Sequence, residues 1–191
     1  MLFRSELSNV VAVLPGTVDR DNYVLVTAHY DTVSLHRKPK PTEAERIATM
    51  VRRGMEEAEA RRVVQLFPTE DVLGEVDAEA TAAEPNSPGV VDDASGIAAV
   101  MELARVMSQH EFEKSLVFVA FSGEEIGLEG SKVYAGAAKQ KGMRIEAVLN
   151  NDIIGSDTSG NGRTNSSALR VFAAGPEDSP GRALLRYTKL L

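Results

Sequence analysis

The sequence has no cysteine and no tryptophan, and only 5% of its 191 residues are aromatic. The absence of cysteine excludes disulfides, thiolate metal sites and cysteine nucleophiles, so any bound metal must be held by His, Asp or Glu. No apolar run approaches the ~20 residues that a membrane span requires. Residues 1–8 show no apolar core typical of a signal peptide. We therefore expect no membrane segment in this chain.

Basic residues are outnumbered by acidic ones. There are 21 Lys and Arg against 28 Asp and Glu, which gives a net charge of −7. No stretch concentrates Lys and Arg without interleaved acids, so the sequence offers no surface suited to a phosphate backbone. We expect no nucleic-acid partner. The hydrophobic content of 43% favours a folded chain, and we treat residues 1–191 as a single domain.

The order of apolar patterns predicts an α/β fold. Apolar residues recur every three or four positions from Ala94 to Met107, which predicts a helix, and the unbroken apolar run Ser115–Phe121 predicts a strand buried on both faces. By the same criteria we predict further strands over 9–14, 23–27, 145–150 and 169–174, and helices over 128–140 and 179–191. Because only a Pro15-Gly16 turn and a short polar stretch separate the first two strands, we expect them to pair antiparallel.

The segment 34–87 is more charged than the apolar strands and helices on either side of it. Its pattern predicts a helical insertion. Thr42 and Glu45 stand at capping-box spacing, which predicts a helix that continues through Gly54 to Phe67-Pro68. Its apolar stripe would contain Ile47, Val51, Met55 and Ala58, and a second helix is expected over 70–80. Such a long segment is either a solvated excursion or a lid or oligomer contact, with residues 42–80 as the contact surface.

Four short clusters of potential metal ligands lie at strand ends or at a helix start. They are His29-x-Asp31, Asp92-Asp93, Glu124-Glu125 and Asp152. Each cluster alone has a simpler interpretation: a His and an Asp two residues apart can form a hydrogen-bonded pair, and acids at a helix start can serve as caps. Four such clusters in one chain instead indicate a metal site.

The types of these ligands suit a hydrolytic centre. One imidazole and several carboxylates favour zinc, manganese or cobalt. The carboxylates are more numerous than one ion requires, which suggests two ions that share a bridging carboxylate.

With these motifs in this order, the sequence resembles the M28 family of co-catalytic zinc aminopeptidases from about Asn9 to Gly155. The resemblance implies a three-layer α/β/α sandwich of the zinc-exopeptidase, phosphorylase/hydrolase-like type, with a mixed, mainly parallel sheet. It implies two Zn²⁺ ions. The implied roles are zinc ligands for His29, Asp92 (bridging), Glu125 and Asp152, general base for Glu124, His29-orienting acid for Asp31, and outer support for Asp93, which in the family follows a cis peptide.

The resemblance also implies a final histidine ligand that this sequence does not show after Asp152. The other histidines, His36 and His110, lie in charged segments that do not fit the role. We therefore expect that the catalytic domain is incomplete in this chain and that the 191 residues alone are inactive.

The implied activity is removal of N-terminal residues from peptides, with a peptide or small acyl-amide as substrate. Three alternatives remain open: a carboxypeptidase or deacylase of the same fold, a glutaminyl cyclase-like enzyme, and a non-catalytic binding relative. The resemblance implies a secreted, periplasmic or membrane-anchored protein, but the sequence itself determines neither the compartment nor the oligomeric state.

Overall fold

The computed structural model describes residues 7–68, 74–83, 86–158 and 162–188. Its strands are β1 Val10–Leu14, β2 Asp19–His29, β3 Lys114–Phe121 and β4 Arg144–Asn150. Its helices are α1 Glu43–Arg52, α2 Glu57–Leu66, α3 Ala78–Ala83, α4 Ala94–Met107, α5 Glu129–Gln140 and α6 Pro180–Thr188. Among the helices of these ranges, none has both the length and the apolar character needed to cross a bilayer.

The chain divides into two compact units. The first contains Met1–Asp31, Gly89–Thr158 and Thr164–Leu191, and the second contains Thr32–Pro88 with Ser159–Arg163. The predicted insertion, residues 34–87, falls within the second unit.

The first unit is built on a mixed four-stranded sheet of order β1-β3-β2-β4. β2 pairs in parallel with both β3 and β4, whereas β1 pairs antiparallel with β3. The expected antiparallel pairing of the first two strands is wrong, because β3 lies between them. β3 is buried over Ser115–Val119, as its unbroken apolar run predicts, whereas β1 is largely exposed at the sheet edge.

Helices cover both faces of this sheet. On one face, Val100 of α4 packs with Val26, Ala28, Leu116 and Phe118. On the other, Tyr134 of α5 packs against Leu25, Val117 and Val119, and its ring meets Phe121 edge to face at 5.7 Å. Neighbouring residues of β2 and of β3 thus contact opposite helical layers. The predicted three-layer α/β/α sandwich with a mainly parallel sheet is confirmed.

In the first unit, one predicted strand is wrong and one predicted helix is found over the part of it that the structure describes. Residues 169–174 do not form the predicted strand: Leu169 and Phe172 are 77% and 84% exposed, and no strand of the described chain pairs with them. The predicted helix 179–191 is found as α6, Pro180–Thr188, and its last three positions lie outside the described residues.

The second unit contains a helical pair rather than one long helix. The predicted capping box is present, since the backbone N–H of Glu45 donates to Thr42 Oγ1 and the Glu45 carboxylate accepts from the backbone N–H of Thr42. The predicted continuation through Gly54 is wrong: Gly54 has φ +94°, and the chain turns there between α1 and α2. Because the helix axis changes at this turn, the predicted apolar stripe does not continue. Val51 and Ala58 are exposed, and the buried residues are instead Arg46, Ala60 and Val64.

The segment before α1 and the segment after α2 are joined by a short antiparallel contact. Arg37 bridges Val76, the N–H of Lys38 donates to the Glu75 carbonyl, and the N–H of Asp77 donates to the His36 carbonyl. α3 begins directly after this contact. Of the helix predicted over 70–80, residues 70–73 lie outside the described ranges, and α3 itself spans Ala78–Ala83.

Candidate metal centre

The parallel pairing of β2, β3 and β4 determines where the predicted site residues of the first unit lie. His29 is the last residue of β2 and stands opposite Phe121, the last residue of β3, and Thr27 stands opposite Asn150, the last residue of β4. The three strands therefore end at one edge of the sheet, which is where sites occur in open α/β folds. Asp152 lies two residues beyond β4, and Glu124 lies three residues beyond β3.

Three of the predicted ligands form one cluster, which we call the metal trio: His29, Asp92 and Asp152. His29 Nε2 lies 3.1 Å from Asp92 Oδ1 and 3.9 Å from Asp152 Oδ1. The ligand atoms all lie within 4.8 Å of one another. The imidazole is 4% exposed, whereas both carboxylates are partly open to solvent. One nitrogen and two carboxylate oxygens around an accessible point fit an open zinc site, in which water completes the coordination.

The orientation of the His29 ring comes from the main chain. His29 Nδ1 lies 2.9 Å from the carbonyl oxygen of Asp31. Since that carbonyl is an acceptor, Nδ1 is the donor and Nε2 is left as the free ligand atom that faces Asp92. The Asp31 carboxylate, to which the resemblance assigned this role, is farther away at 3.8 Å.

The Asp31 carboxylate instead holds the loop that carries the two glutamates. The backbone N–H of Glu124 donates to Asp31 Oδ1 at 3.1 Å, and the backbone N–H of Glu125 donates to Asp31 Oδ2 at 3.0 Å. Gly123 precedes them with φ +66°, a conformation that L side chains disfavour. One carboxylate therefore fixes both glutamates relative to the end of β2.

Glu124 and Glu125 take different positions around this loop. Glu124 lines a cavity of about 250 Å³ together with His29 and Asp152. Glu125 is not a member of the metal trio. Burial raises the pKa of Glu125 above its ordinary value, and the negative charges of Asp92 and Glu124 raise it further.

The electrostatics of the metal trio favour a cation. Burial raises the pKa of Asp152, and the charge of Asp93 adds to that effect. Burial alone would lower the pKa of His29, but the hydrogen bond to the Asp31 carbonyl and the charges of Asp93, Glu124 and Asp152 outweigh it and raise the pKa. Beside burial, the neighbouring carboxylates contribute to each of these shifts, and a divalent cation would neutralise that negative charge.

Asp92 and Asp93 are joined by a cis peptide bond at the start of α4. Asp92 is partly exposed and belongs to the metal trio, whereas Asp93 is 0% exposed and accepts a hydrogen bond from the N–H of Gly96 as the N-cap of α4. The two neighbouring acids therefore have different surroundings.

Asn9 stabilises the loop of the two glutamates by hydrogen bonds that the sequence patterns do not predict. Its Oδ1 accepts from the backbone N–H of Ser122, and its Nδ2 donates to the Gly130 carbonyl, so it joins both ends of the segment that contains Glu124 and Glu125. These partners are 113 and 121 residues away in sequence. No local pattern could have indicated this role.

Comparison with known proteins places the motifs in a family. Residues 9–175 match the family model described as Peptidase family M28. A "Probable zinc metalloprotease" of Pyricularia oryzae is 34% identical over 173 residues, which cover 91% of this chain and 26% of that protein. Another from Pyrenophora teres f. teres is 36% identical over 206 residues, which cover 97% of this chain and 34% of that protein.

A solved structure, "Aminopeptidase from Aneurinibacillus sp. strain AM-1", has 25% sequence identity and a TM-score of 0.48. The match covers 80% of this chain and 26% of that chain. This chain thus spans about a quarter to a third of the length of the relatives it matches.

Proposed function

Because this chain belongs to peptidase family M28, we propose that it carries the metal-binding and general-base residues of a zinc-dependent exopeptidase that removes N-terminal residues from peptides. The observation that carries the proposal is the metal trio of His29, Asp92 and Asp152 in a partly open site beside Glu124. The names of the related zinc metalloproteases agree with zinc as the metal.

The metal trio would hold one zinc ion, and Asp92 with Glu125 would contribute to a second. Support for the second position is electrostatic, since the negative charge of Asp92 acts on the Glu125 carboxylate. Bound zinc would supply a Lewis acid that polarises the scissile carbonyl and makes water more acidic.

The side chains of the protein would transfer the proton and position the reacting groups. Glu124 accepts a proton from water as the water oxygen attacks the scissile carbonyl carbon. When the C–N bond breaks, the same carboxyl group gives that proton to the leaving amine nitrogen. The Asp31 carboxylate keeps Glu124 in position by accepting from the Glu124 backbone N–H. The Asp31 carbonyl accepts from His29 Nδ1, which would leave Nε2 free to hold zinc.

Glu124→Gln in the whole protein tests this assignment. We expect zinc content to remain nearly unchanged, because Glu124 is outside the metal trio. We expect turnover of a peptide with a free N-terminus to fall by ~10²-fold or more, the scale of a lost general base. Glu129→Gln is the matched control, since Glu129 lies a few residues farther on at the exposed start of α5.

Three results would contradict the proposal. Parallel loss of zinc and turnover in Glu124→Gln would show that Glu124 and Glu125 have each other's roles. Hydrolysis of N-acetylated peptides at equal rates would argue against an exopeptidase specific for free N-termini. Failure of the protein to bind zinc would overturn the metal centre itself.

A further inference from the structure

Asp93 is a buried carboxylate that the proposed reaction does not use. Its side chain is 0% exposed, and a buried carboxylate is costly unless hydrogen-bond donors compensate its lost hydration. Three backbone N–H groups do so. Oδ1 accepts from Gly96 at 2.9 Å and from Ile153 at 3.3 Å, and Oδ2 accepts from His29 at 3.2 Å.

These three donors lie on three different segments of the chain. His29 ends β2, Gly96 lies in the first turn of α4, and Ile153 follows β4. A helix N-cap accounts for the bond from Gly96 alone. The other two bonds cross 64 and 60 residues of sequence and connect α4 to the two neighbouring strand ends.

Each connected segment supplies one member of the metal trio. His29 is itself a ligand, Ile153 directly follows Asp152, and Asp93 directly follows Asp92. One carboxylate therefore holds the main chain at, or next to, every member of the trio.

Gly96 makes this arrangement sterically possible. A Cβ at Gly96 would overlap both Asp93 carboxylate oxygens and the carbonyl oxygen of Asn151, the residue before Asp152. Ile153 is also constrained, since its φ of +51° is unusual for a β-branched residue. α4 and the segment after β4 thus meet closely around the Asp93 carboxylate.

We propose that Asp93 is a positioning residue that sets the spacing of His29, Asp92 and Asp152 for a metal ion by hydrogen-bonding the backbone of their three segments. The inference rests on the proposed function, because it takes the metal trio as the zinc site. Its consequence is that Asp93 controls metal affinity although it need not touch the metal. Partners that orient ligands in this way typically change metal affinity by ~10- to 100-fold when they are lost.

Two substitutions test the proposal by different routes. Asp93→Asn keeps the shape but places an NH₂ group opposite one of the three donors and removes the charge. Gly96→Ala keeps the carboxylate but forces the segments apart. For both variants we expect zinc affinity, measured by calorimetry on the folded chain, to fall by about 10-fold or more.

Asp77→Asn is the matched control, because Asp77 precedes α3 and its Oδ1 accepts from the N–H of Ala80 without involvement of the metal trio. We expect unchanged zinc affinity in this variant. A residue with a purely structural role would lower only the unfolding free energy of the metal-free chain. Folded Asp93→Asn and Gly96→Ala with wild-type zinc affinity would therefore overturn the proposal.

An exchange measurement on the unmodified, metal-free chain covers the case in which the variants do not fold. Ile153 has a half-exposed side chain and lies outside any helix or strand, yet its N–H should be protected from hydrogen exchange because it donates to Asp93. Exchange at the rate of a free loop would refute the proposal. A wild-type chain that binds no zinc would instead refute the proposed function, whereas the exchange result would still show whether Asp93 holds the segment after β4.

Discussion

At the scale of single residues, the side-chain carboxylate and the main-chain carbonyl of Asp31 have different functions. The carbonyl orients His29, and the carboxylate holds the main chain of Glu124 and Glu125. The two functions therefore respond differently to a change of the side chain. Substitution of Asp31 should affect the glutamate loop more than the imidazole.

For Asp31→Asn we expect faster hydrogen exchange at the Glu124 and Glu125 amides with little change in zinc affinity. The amide has one acceptor oxygen, so one of the two bonds is lost, which corresponds to about a tenfold change in local opening. Exchange detected by NMR and calorimetric zinc titration would measure the two effects. Asp21→Asn is the control, since Asp21 lies at the exposed start of β2. A large loss of zinc affinity would show that the carboxylate orients His29 after all.

Patterns in the sequence predict that His29, Asp92 and Asp152 lie together, as the structure shows, but not which residues hold them in place. His29, Asp92 and Asp152 could be predicted because each lies at a recognisable strand end or helix start. The role of the Asp31 side chain could not, because its partners, the backbone N–H groups of Glu124 and Glu125, are 93 and 94 residues away in sequence. Asn9 and Gly96 were missed because their partners are brought together only by the tertiary fold.

At the scale of elements, local sequence patterns predict where helices and strands begin and end better than they predict which strands pair. α4 was predicted to the residue, and β3 and β4 to within one residue at their starts. The pairing of the first two strands was predicted wrongly because proximity in sequence does not determine strand order once a parallel sheet forms. Both β1 and β3 are apolar in sequence, yet β3 is buried at an inner position and β1 is largely exposed at the edge, so composition alone does not determine their places in the sheet.

The helical insertion should be separable from metal binding. Replacing residues 42–73 with a short Gly-Ser link keeps the antiparallel contact of His36–Lys38 with Glu75–Asp77. We expect zinc affinity within about twofold of wild type, because the metal trio belongs to the first unit and closure entropy changes slowly with loop length.

Calorimetry and mass measurement in solution would distinguish the alternatives for this segment. A changed oligomeric mass would support the oligomer contact predicted over residues 42–80, and a changed substrate range in the whole protein would identify a lid. Unchanged mass and kinetics would leave a solvated excursion. Loss of zinc affinity in a folded variant would contradict the expected independence of the site.

At the scale of the whole molecule, the ligand inventory limits how many ions this chain can bind firmly. The metal trio offers an imidazole and two carboxylates. The proposed second position would have Asp92 and Glu125. The two remaining histidines, His36 and His110, do not belong to any group of potential metal ligands in the described part of the chain. Two carboxylates without an imidazole or thiolate form a weaker zinc site than a three-ligand set.

We therefore expect calorimetric titration of the metal-free chain to show one firmly bound zinc ion and a second that binds much more weakly. His29→Ala should abolish the firm site, whereas His36→Ala and His110→Ala should leave it unchanged. With the second position empty, Glu125 and Asp92 keep their mutual repulsion, and the site cannot activate water with two ions. The 191 residues should then hydrolyse peptides slowly even in excess zinc. Two equally tight sites in the wild-type chain, one of them lost in His36→Ala or His110→Ala, would instead assign that histidine to the second ion.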